Sequence, residues 1–354
     1  MKDESVEIRI GEEIDLEKLN THLKNELEDS SVIKEIRQFP GGYSNLTYLL
    51  ISEDKELVLR RPPRGANIKS AHDMGREFKV LKSLNSHFPV PRPVYFTEDE
   101  SVIGSPFYIM EKVNGLILRA GKPIPSEVGS SQFEKLSKAT VDTLAQLHKI
   151  NLQKIGLDSM GKPDGYVERQ VKGWIKRYHN AQTDDIKGLS EMEDWLNKNI
   201  PADQKIAFVH NDFKYDNLVV DPNNDFRVLA VLDWEMATVG DAFMDLGTTL
   251  AYWSEADDHS ALKPFNVTSL PGNRSRAQVL DYYQEITETE VKNAIFYYVF
   301  GLYKIAVIGQ QIYKRFKEGL TKDARFGQLI HVINACGDTG IKALEKNRIS
   351  SLQV

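Results

Sequence analysis

Two short polar segments carry the side chains of this chain that are best suited to chemistry: residues 210–217 (HNDFKYDN) and residues 232–235 (LDWE). Asp212 can accept a proton from a hydroxyl group, and the oxygens of Asn217 and Asp233 are ligands that a hard cation such as Mg²⁺ prefers. Phosphoryl transfer from a magnesium nucleotide uses this combination of groups. The spacing therefore predicts Asp212 and Lys214 as catalytic residues and Asn217 and Asp233 as metal ligands, with ATP and Mg²⁺ as cofactors.

Each of these residues also has a structural interpretation. Taken alone, Asp233 can cap a loop and Lys214 can be solvated. His210 is interpreted as a residue that braces the loop, because its ring can hydrogen-bond backbone or a nearby carboxylate. The chemical interpretation is favoured because Asn217 and Asp233 are much less likely to occur together by chance than either residue alone.

Residues 240–246 (GDAFMDL) follow the second segment. Asp241 is predicted to cap the helix that begins there. Asp245 is predicted to accept hydrogen bonds from the backbone of the 210–217 loop. Both aspartates are therefore interpreted as supports, while Glu235 is a second candidate for contact with metal or substrate.

A glycine-containing loop nearer the N-terminus predicts a phosphate-binding turn. Gly41, Gly42, Ser44 and Asn45 lie between two predicted strands. Glycines let the backbone approach a phosphate closely, and the two polar side chains add hydrogen-bond donors. A plain hairpin turn is the alternative interpretation.

Arg60 and Glu77 form the second candidate for nucleotide binding. Arg60 lies near the end of a predicted strand and Glu77 lies in the next predicted helix. A strand-borne cation beside a helix-borne carboxylate is how kinases place positive charge against nucleotide phosphates. Arginine can bind phosphate in this position through two hydrogen bonds. Strand alternation predicts that the neighbouring Arg61 points to the opposite face. A surface ion pair is the alternative.

Hydrophobic periodicity predicts strands early in the chain and helices later. The predicted helices are 15–27, 67–85, 131–150, 166–181, 190–199, 274–287, 288–316 and 326–347. The predicted strands are 32–39, 46–52, 56–61, 94–97, 106–113, 218–220 and 226–232, with 206–235 forming a strand-and-loop region among helices. This order predicts an α+β protein with a β-rich N-terminal lobe, 1–113, and a helical C-terminal lobe, 114–354. The first lobe includes helix 15–27, and the second carries the catalytic loop 210–217 and the metal loop 233–235.

Composition limits the classes of partner and compartment. The chain has 354 residues, a net charge of −6 and one cysteine, Cys336. The negative charge argues against a general nucleic-acid or anionic-membrane surface, and one cysteine excludes an intrachain disulfide. The apolar run 294–309 contains Lys304 and is short of a full span, so it is predicted to be a buried helix. We expect a cytoplasmic protein with a small-molecule hydroxyl substrate and neither a nucleic-acid nor a membrane partner; oligomeric state is not predicted.

The motifs together resemble those of the aminoglycoside phosphotransferase and choline kinase superfamily. The matching residues are His210-x-Asp212-x4-Asn217, Leu232-Asp233-Trp234-Glu235 and Gly240-Asp241-x3-Asp245-Leu246. The resemblance implies a two-lobed protein-kinase-like fold, with a small antiparallel sheet and one helix in the N-lobe and a larger, mainly helical C-lobe. It also implies ATP-dependent transfer to a small-molecule hydroxyl. Under this resemblance Arg60 contacts phosphate, Glu77 positions it, and the connector residues Met110, Glu111 and Val113 offer backbone groups to adenine.

A narrower resemblance is to the kinase-like domains associated with acyl-CoA dehydrogenases. It is carried by residues 38–48 (QFPGGYSNLTY), 59–63 (LRRPP), 71–72 (AH), 76–78 (REF), 165–171 (GYVERQV) and Trp174. In that subgroup the implied substrate is a hydroxyacyl-CoA that is phosphorylated on its acyl hydroxyl. Two residues depart from the pattern, because Asn211 replaces a usual glycine and Ala242 a usual proline. Neither departure removes a catalytic group.

Several other functions stay open at this stage. One is an aminoglycoside, choline or amino-alcohol kinase, and another is a catalytically weak nucleotide-binding regulatory protein. A third is a phosphohydrolase with Asp233 as the nucleophile and Glu235 as the acid two residues later. The acidic run 254–259 (SEADDH) would suit a cationic aminoglycoside or is a solvated loop. A CoA ester would instead need cations near the site, and the candidates are Arg169, Lys172, Arg177 and Lys304.

Overall fold

The computed structural model describes residues 5–28, 31–40, 45–63, 73–321 and 323–353. The backbone packs into two compact units. The first comprises Met1–Ile117, Leu218–Pro222 and Val228–Met236, and the second comprises Leu118–Asn217, Asn223–Arg227 and Ala237–Val354. The sequence predicts a boundary between two lobes at residues 113 and 114, and this boundary stays a prediction.

The elements follow one another along the chain as strands first and helices later. The strands are β1 (Glu35–Gln38), β2 (Leu46–Ile51), β3 (Glu56–Arg61), β4 (Pro93–Thr97), β5 (Phe107–Glu111), β6 (Ile206–Val209), β7 (Leu218–Asp221), β8 (Arg227–Val231) and β9 (Thr238–Asp241). The helices are α1 (Leu16–Glu26), α2 (Met74–Leu84), α3 (Ser130–His148), α4 (Leu152–Ile155), α5 (Tyr166–Ala181), α6 (Lys187–Lys198), α7 (Ala242–Tyr252), α8 (Arg276–Thr287), α9 (Ala294–Lys317) and α10 (Leu329–Lys346). An antiparallel sheet in the first unit and a mostly helical second unit confirm the predicted α+β class.

The first unit is built on a five-stranded antiparallel sheet with the order β1-β2-β3-β5-β4. Successive strand residues point to opposite faces. On one face Tyr48 and Leu59 pack in a core with Leu19 of α1, and Arg61 donates to the Tyr48 hydroxyl at 3.2 Å. Arg60 instead pairs with a carboxylate of α2, as described below. The predicted opposite orientation of the two arginines is therefore confirmed.

The second unit is organised around α9, against which α7 and α10 pack. Two glycines set the spacing of α7 and α9, because a Cβ at Gly301 would fall against the Gly247 carbonyl and 2.8 Å from the Ala251 methyl carbon. Within the described residues, α9 alone is long and apolar enough to cross a membrane, and 78% of its most apolar 18-residue window is buried inside the structure. Such burial is also typical of a core helix, which is how the sequence predicts this segment.

The start of one helix was predicted wrongly, and one strand was missed. The helix predicted to begin at residue 288 begins at Ala294, because Glu288 has a left-handed backbone (φ 53°) and ends α8. Strand β9 was not predicted, since four residues that include a glycine give no alternating pattern. It nevertheless pairs with β6 along its whole length, and this pairing fixes where the 210–217 loop begins.

Candidate active site

The 210–217 loop leaves the end of β6 in the second unit, and its first peptide groups are held by Asp245. The two carboxylate oxygens of Asp245 accept hydrogen bonds from the backbone N–H groups of His210 and Asn211, each at 2.7 Å. His148 lies 3.2 Å from the same carboxylate. Burial raises the pKa of Asp245, but the neighbouring His148 and the hydrogen bonds it accepts bring that pKa below its ordinary value. The predicted role of Asp245 as a brace of this loop is confirmed.

Asp212 lies at the centre of a compact polar cluster. The Lys214 ammonium is 3.0 Å from its carboxylate oxygens, and the Asn217 amide donates to Oδ2 of Asp212 at 3.1 Å and to the Asp212 carbonyl at 2.9 Å. A carboxylate cannot donate, so the Asn217 amide nitrogen must face it. The amide oxygen of Asn217 is then directed elsewhere, which suits a neutral ligand for a hard cation.

Lys214 is a partly buried cation that stays charged. Its ammonium lies 4.5 Å from the centre of the Tyr252 ring. Burial lowers the pKa of Lys214, but Tyr252 and Asp212 together raise it above the ordinary lysine value. A fixed positive charge beside Asp212 is compatible with the catalytic role predicted for Lys214, which stays a prediction.

Asn211 has a left-handed backbone (φ 67°), an uncommon conformation for a residue other than glycine. Its carbonyl accepts a hydrogen bond of 2.5 Å from the Lys304 ammonium, which comes from α9. The Tyr166 hydroxyl lies 3.3 Å from the Asn211 side-chain amide. The sequence did not predict these two contacts. The one available signal was the position of Lys304 as the single cation in the apolar run 294–309.

In the first unit, Arg60 is surrounded by three carboxylates. Its guanidinium lies 2.9 Å from Asp233, 3.4 Å from Glu77 and 3.9 Å from Glu235. Burial lowers the pKa of Arg60, but Glu77 and the other acidic neighbours raise it well above the ordinary value. Among the described residues no group accepts a hydrogen bond from its buried Nε. A buried donor without an acceptor suits a ligand that brings oxygen atoms, such as a phosphate.

Glu77 is fixed by neutral donors as well as by Arg60. The Asn45 side-chain amide donates to Glu77 and to Glu235, each at 3.0 Å, and the Tyr108 hydroxyl donates to Glu77 at 2.8 Å. Asn45 was predicted as a phosphate-loop residue, and in this structure its side chain ties two acidic residues together. The nucleotide-binding role predicted for Asn45, Arg60 and Glu77 stays a prediction.

Asp233 follows β8 with a left-handed backbone (φ 68°). The indole N–H of Trp234 donates to the Val231 carbonyl at 2.9 Å and anchors this turn. Asp233 belongs to the first unit and Asn217 to the second. The shared metal site that the sequence predicts for these two residues therefore stays a prediction.

The other residues that were predicted to bind the nucleotide differ in where the structure places them. Gly41, Gly42 and Ser44 lie outside the described residues. Met110 and Glu111 pair with β3 in the sheet, and the Glu111 side chain binds Arg92 at 2.5 Å. Val113 lies just beyond the sheet, and no described residue hydrogen-bonds its peptide N–H or carbonyl. Of the connector residues, Val113 is the one whose backbone suits contact with a base.

The charged groups considered for substrate contact separate into two sets. Arg169 binds the carbonyls of Lys162 and Asp164, and Lys172 pairs with Glu168 at 2.5 Å. The acidic run 254–259 is not a solvated loop, because Glu255 and Asp258 are buried against the Arg276 guanidinium. The two cations that remain, Arg177 and Lys304, both lie near the ring of Trp174, at 4.7 and 5.7 Å from its centre.

The chain is similar to known proteins in sequence and in fold. Mouse acyl-CoA dehydrogenase family member 10 is 37% identical over 295 residues, which are 82% of this chain but 27% of that protein. The chain thus spans well under half of that relative. A crystal structure provisionally described as an aminoglycoside phosphotransferase from Ralstonia eutropha is 29% identical, with a TM-score of 0.81 over 94% of this chain and 99% of that one.

A more distant structure, the GDP and kanamycin complex of APH(2″)-IIIa, shares the fold at 14% identity, with a TM-score of 0.64 over 90% of this chain and 97% of that one. The sequence profile described as the phosphotransferase enzyme family matches residues 35–280. That match covers most of the first unit and the whole 210–246 region. By this match, and with the Asp212 cluster in place, the chain belongs to the phosphotransferase enzyme family.

Proposed function

We propose that this protein is an ATP-dependent kinase that transfers the γ-phosphate to a hydroxyl group of a small molecule, with a hydroxyacyl-CoA as the acceptor. The observation that carries the proposal is the Asp212 carboxylate, held between the Lys214 ammonium at 3.0 Å and the Asn217 amide at 3.1 Å on a braced loop. Asp212 orients the acceptor hydroxyl and takes its proton, and Lys214 stabilises negative charge on the transferring group.

The nucleotide would be held by residues of the first unit. Arg60 offers a buried cation with an Nε donor that no described residue uses, and Val113 offers peptide groups for adenine. Glu77 keeps the Arg60 side chain in place through their contact at 3.4 Å. Asn217 and Asp233 have the oxygen donors that fit Mg²⁺, which when bound would neutralise charge on the phosphates.

Three observations favour an acyl-CoA over an aminoglycoside as acceptor. Two acidic side chains of the 254–259 run, Glu255 and Asp258, are buried and paired with the Arg276 guanidinium, so they do not face a polycation in solvent. Arg177 and Lys304 instead place positive charge beside Trp174. The mouse relative carries acyl-CoA dehydrogenase in its name. The alternatives are therefore an aminoglycoside or amino-alcohol kinase, and a regulatory protein that binds nucleotide but turns over slowly.

We also propose a cytoplasmic location and a soluble small-molecule partner. The net charge of −6 and the single buried cysteine support these proposals. Cytosolic thiols are kept reduced, so one unpaired cysteine is compatible with that compartment.

The test is release of ADP in the presence of ATP and Mg²⁺, with hydroxyacyl-CoAs, amino alcohols and aminoglycosides as acceptors. Asp212→Asn is expected to lower turnover by about 10²- to 10⁴-fold while nucleotide affinity is kept, because it removes the base and preserves the side-chain shape. Asp225→Asn is the matched control, since Asp225 lies in an exposed turn of the same unit and pairs with Lys135 at 2.8 Å. Equal turnover in Asp212→Asn and Asp225→Asn would refute the assignment of Asp212. ADP release with aminoglycosides alone would refute the proposed acceptor class.

A further inference from the structure

Lys304 is a buried cation that the fold alone does not account for. It lies in α9 with 2% of its surface exposed. Among the described residues its ammonium has one hydrogen-bond partner, the Asn211 carbonyl at 2.5 Å, and one aromatic neighbour, the Trp174 ring at 5.7 Å. A lysine ammonium has three N–H donors. Two of them therefore have no acceptor in the part of the chain that the structure describes.

Among the described residues, neither carboxylate near Lys304 is hydrogen-bonded to its ammonium, and both are engaged by other groups. Asp212 contacts Lys214 and Asn217. Asp245 accepts two backbone N–H groups and contacts His148. The charged groups with the largest influence on the pKa of Lys304 are Asp212, Asp245, Lys214 and Arg177.

This arrangement is costly for the folded protein. Burial lowers the pKa of Lys304 to about 8, despite the opposing influence of Asp212 and Asp245. A buried polar or charged group without full hydrogen bonding destabilises a protein unless something else satisfies it. A hydrophobic residue of similar length at this position of α9 would avoid the cost. Lys304 therefore has the properties of a group that receives a ligand.

Its neighbours indicate which kind of ligand. The Lys304 ammonium donates a hydrogen bond to the carbonyl of Asn211, the residue directly before Asp212. The exposed Arg177 guanidinium lies over Trp174, the same ring that Lys304 approaches. Positive charge thus extends from the buried side of the Asp212 loop toward the surface of α5. A ligand that presents oxygen atoms with negative charge would be attracted here, and a polycation would be repelled.

We infer that Lys304 binds an acyl oxygen of the phosphate acceptor, either a thioester carbonyl or a free carboxylate, while the acceptor hydroxyl faces Asp212. The inference rests on the proposed function in one respect, which is that the ligand is called a phosphate acceptor. It adds to that function a residue that sets specificity. The Lys304 ammonium is hydrogen-bonded to Asn211, which directly precedes Asp212. The acyl oxygen that Lys304 binds and the hydroxyl that faces Asp212 therefore belong to the same short segment of the substrate. An alcohol without an acyl oxygen would not use this contact.

The test measures binding of three ligands by calorimetry: a hydroxyacyl-CoA with a four-carbon acyl chain, its free hydroxy acid, and CoA alone. The wild-type protein is compared with Lys304→Met and with Lys172→Met. Lys172 is the matched control because it is an exposed lysine on α5 that pairs with Glu168. ATP affinity and the midpoint of urea unfolding are measured for all three proteins.

Lys304→Met is expected to bind the acyl-bearing ligand at least tenfold more weakly, with unchanged affinity for CoA and for ATP. Its unfolding midpoint is expected to equal or exceed that of the wild type, because a buried charge has been removed. Lys172→Met is expected to match the wild type throughout. If the hydroxyacyl-CoA is the ligand that depends on Lys304, the thioester is the source of the oxygen; if the hydroxy acid is, the free carboxylate is.

Three results would overturn the inference. The first is equal binding of acyl ligands by Lys304→Met and the wild type, including no binding by either. The second is an equal loss for CoA alone, which would assign Lys304 to the nucleotide part of the coenzyme. The third is a lowered unfolding midpoint together with weaker ATP binding, which would make Lys304 a brace of Asn211. Binding that depends on Lys304 without any ADP release would refute the proposed kinase function and leave the acyl-oxygen site standing.

Discussion

Replacement of Arg60 by methionine tests the charge arrangement in the first unit directly. The Arg60 side chain is 9% exposed and pairs with Glu77, whose side chain is 2% exposed, and with Asp233, whose side chain is 35% exposed. Methionine keeps an unbranched apolar side chain in the same space but removes the guanidinium. Glu77 then loses the cation that balances it and remains buried.

The expected magnitude follows from the burial of each pair. Removal of one partner from a buried ion pair costs about 3–5 kcal/mol of unfolding free energy. Glu77 keeps its hydrogen bonds from Asn45 and Tyr108, which places the loss near the lower end, at about 3 kcal/mol. Asp233 is partly exposed, so water screens it and it adds at most about 1 kcal/mol.

The measurement is urea unfolding of the wild type and Arg60→Met at pH 7 and pH 5, followed by circular dichroism. Burial raises the pKa of Glu77 in the folded protein, and loss of Arg60 removes the largest influence that opposes this rise. A group with a raised folded-state pKa favours folding while protonated, and this contribution is lost as the pH rises through that pKa. The deficit of Arg60→Met is therefore expected to be smaller at pH 5 than at pH 7.

The control is Arg37→Met, because the Arg37–Glu35 pair has side chains that are 43% and 59% exposed. That variant is expected to lose at most about 1 kcal/mol. In addition, Arg60→Met is expected to bind ATP at least about tenfold more weakly, the value of one charge-assisted hydrogen bond. Equal stability losses in the two variants, or a deficit that does not change with pH, would refute the argument that Arg60 balances a buried carboxylate.

Three further outcomes are expected. Gly301→Ala should lower the unfolding free energy by about 1–3 kcal/mol, because its Cβ would strike the Gly247 carbonyl. Gly309→Ala in the same helix should leave the unfolding free energy unchanged or raise it by up to about 1 kcal/mol. Matching urea curves for Gly301→Ala and Gly309→Ala would contradict the close approach of α7 and α9. Burial raises the pKa of Cys336 to about 12, so alkylation by iodoacetamide at neutral pH should be at least roughly 100-fold slower in the folded than in the unfolded chain; rapid labelling would contradict its burial. Because folded Lys304 has a pKa of about 8 against an ordinary 10.5, the unfolded chain holds the proton between those values. The unfolding free energy of the wild type minus that of Lys304→Met should therefore increase by up to about 3 kcal/mol as the pH rises across that window. If this difference does not change with pH, Lys304 does not titrate there.

Local patterns predicted most of the secondary structure. Strand β3 and helix α5 begin and end where their hydrophobic periodicity predicts. Asp241 caps α7 through hydrogen bonds to the backbone N–H groups of Phe243 and Met244, as predicted from its position before the helix. These features depend on neighbours within a few residues, so a single sequence contains the necessary information.

Contacts between distant segments were harder to predict. Strand β9 is stable because it pairs with β6, and nothing within its own four residues indicates this. The sequence left the acidic run 254–259 open between an aminoglycoside site and a solvated loop, because its partner, Arg276, lies in the next helix along the chain. The bridge that the Asn45 side chain makes between Glu77 and Glu235 was not predicted, because Glu235 is 190 positions away in the sequence.

By itself, the sequence determined the chemical types present at the candidate site and the order in which they occur, since residue identity and spacing are covalent properties of the chain. The tertiary structure decided which groups are partners: that Arg60 faces three carboxylates, that Asp212 is held by Lys214 and Asn217, and that a lysine of α9 reaches the loop beside it. Partnership and burial set the charge state and cost of each group, and they arise only when segments far apart in the chain pack together and exclude water.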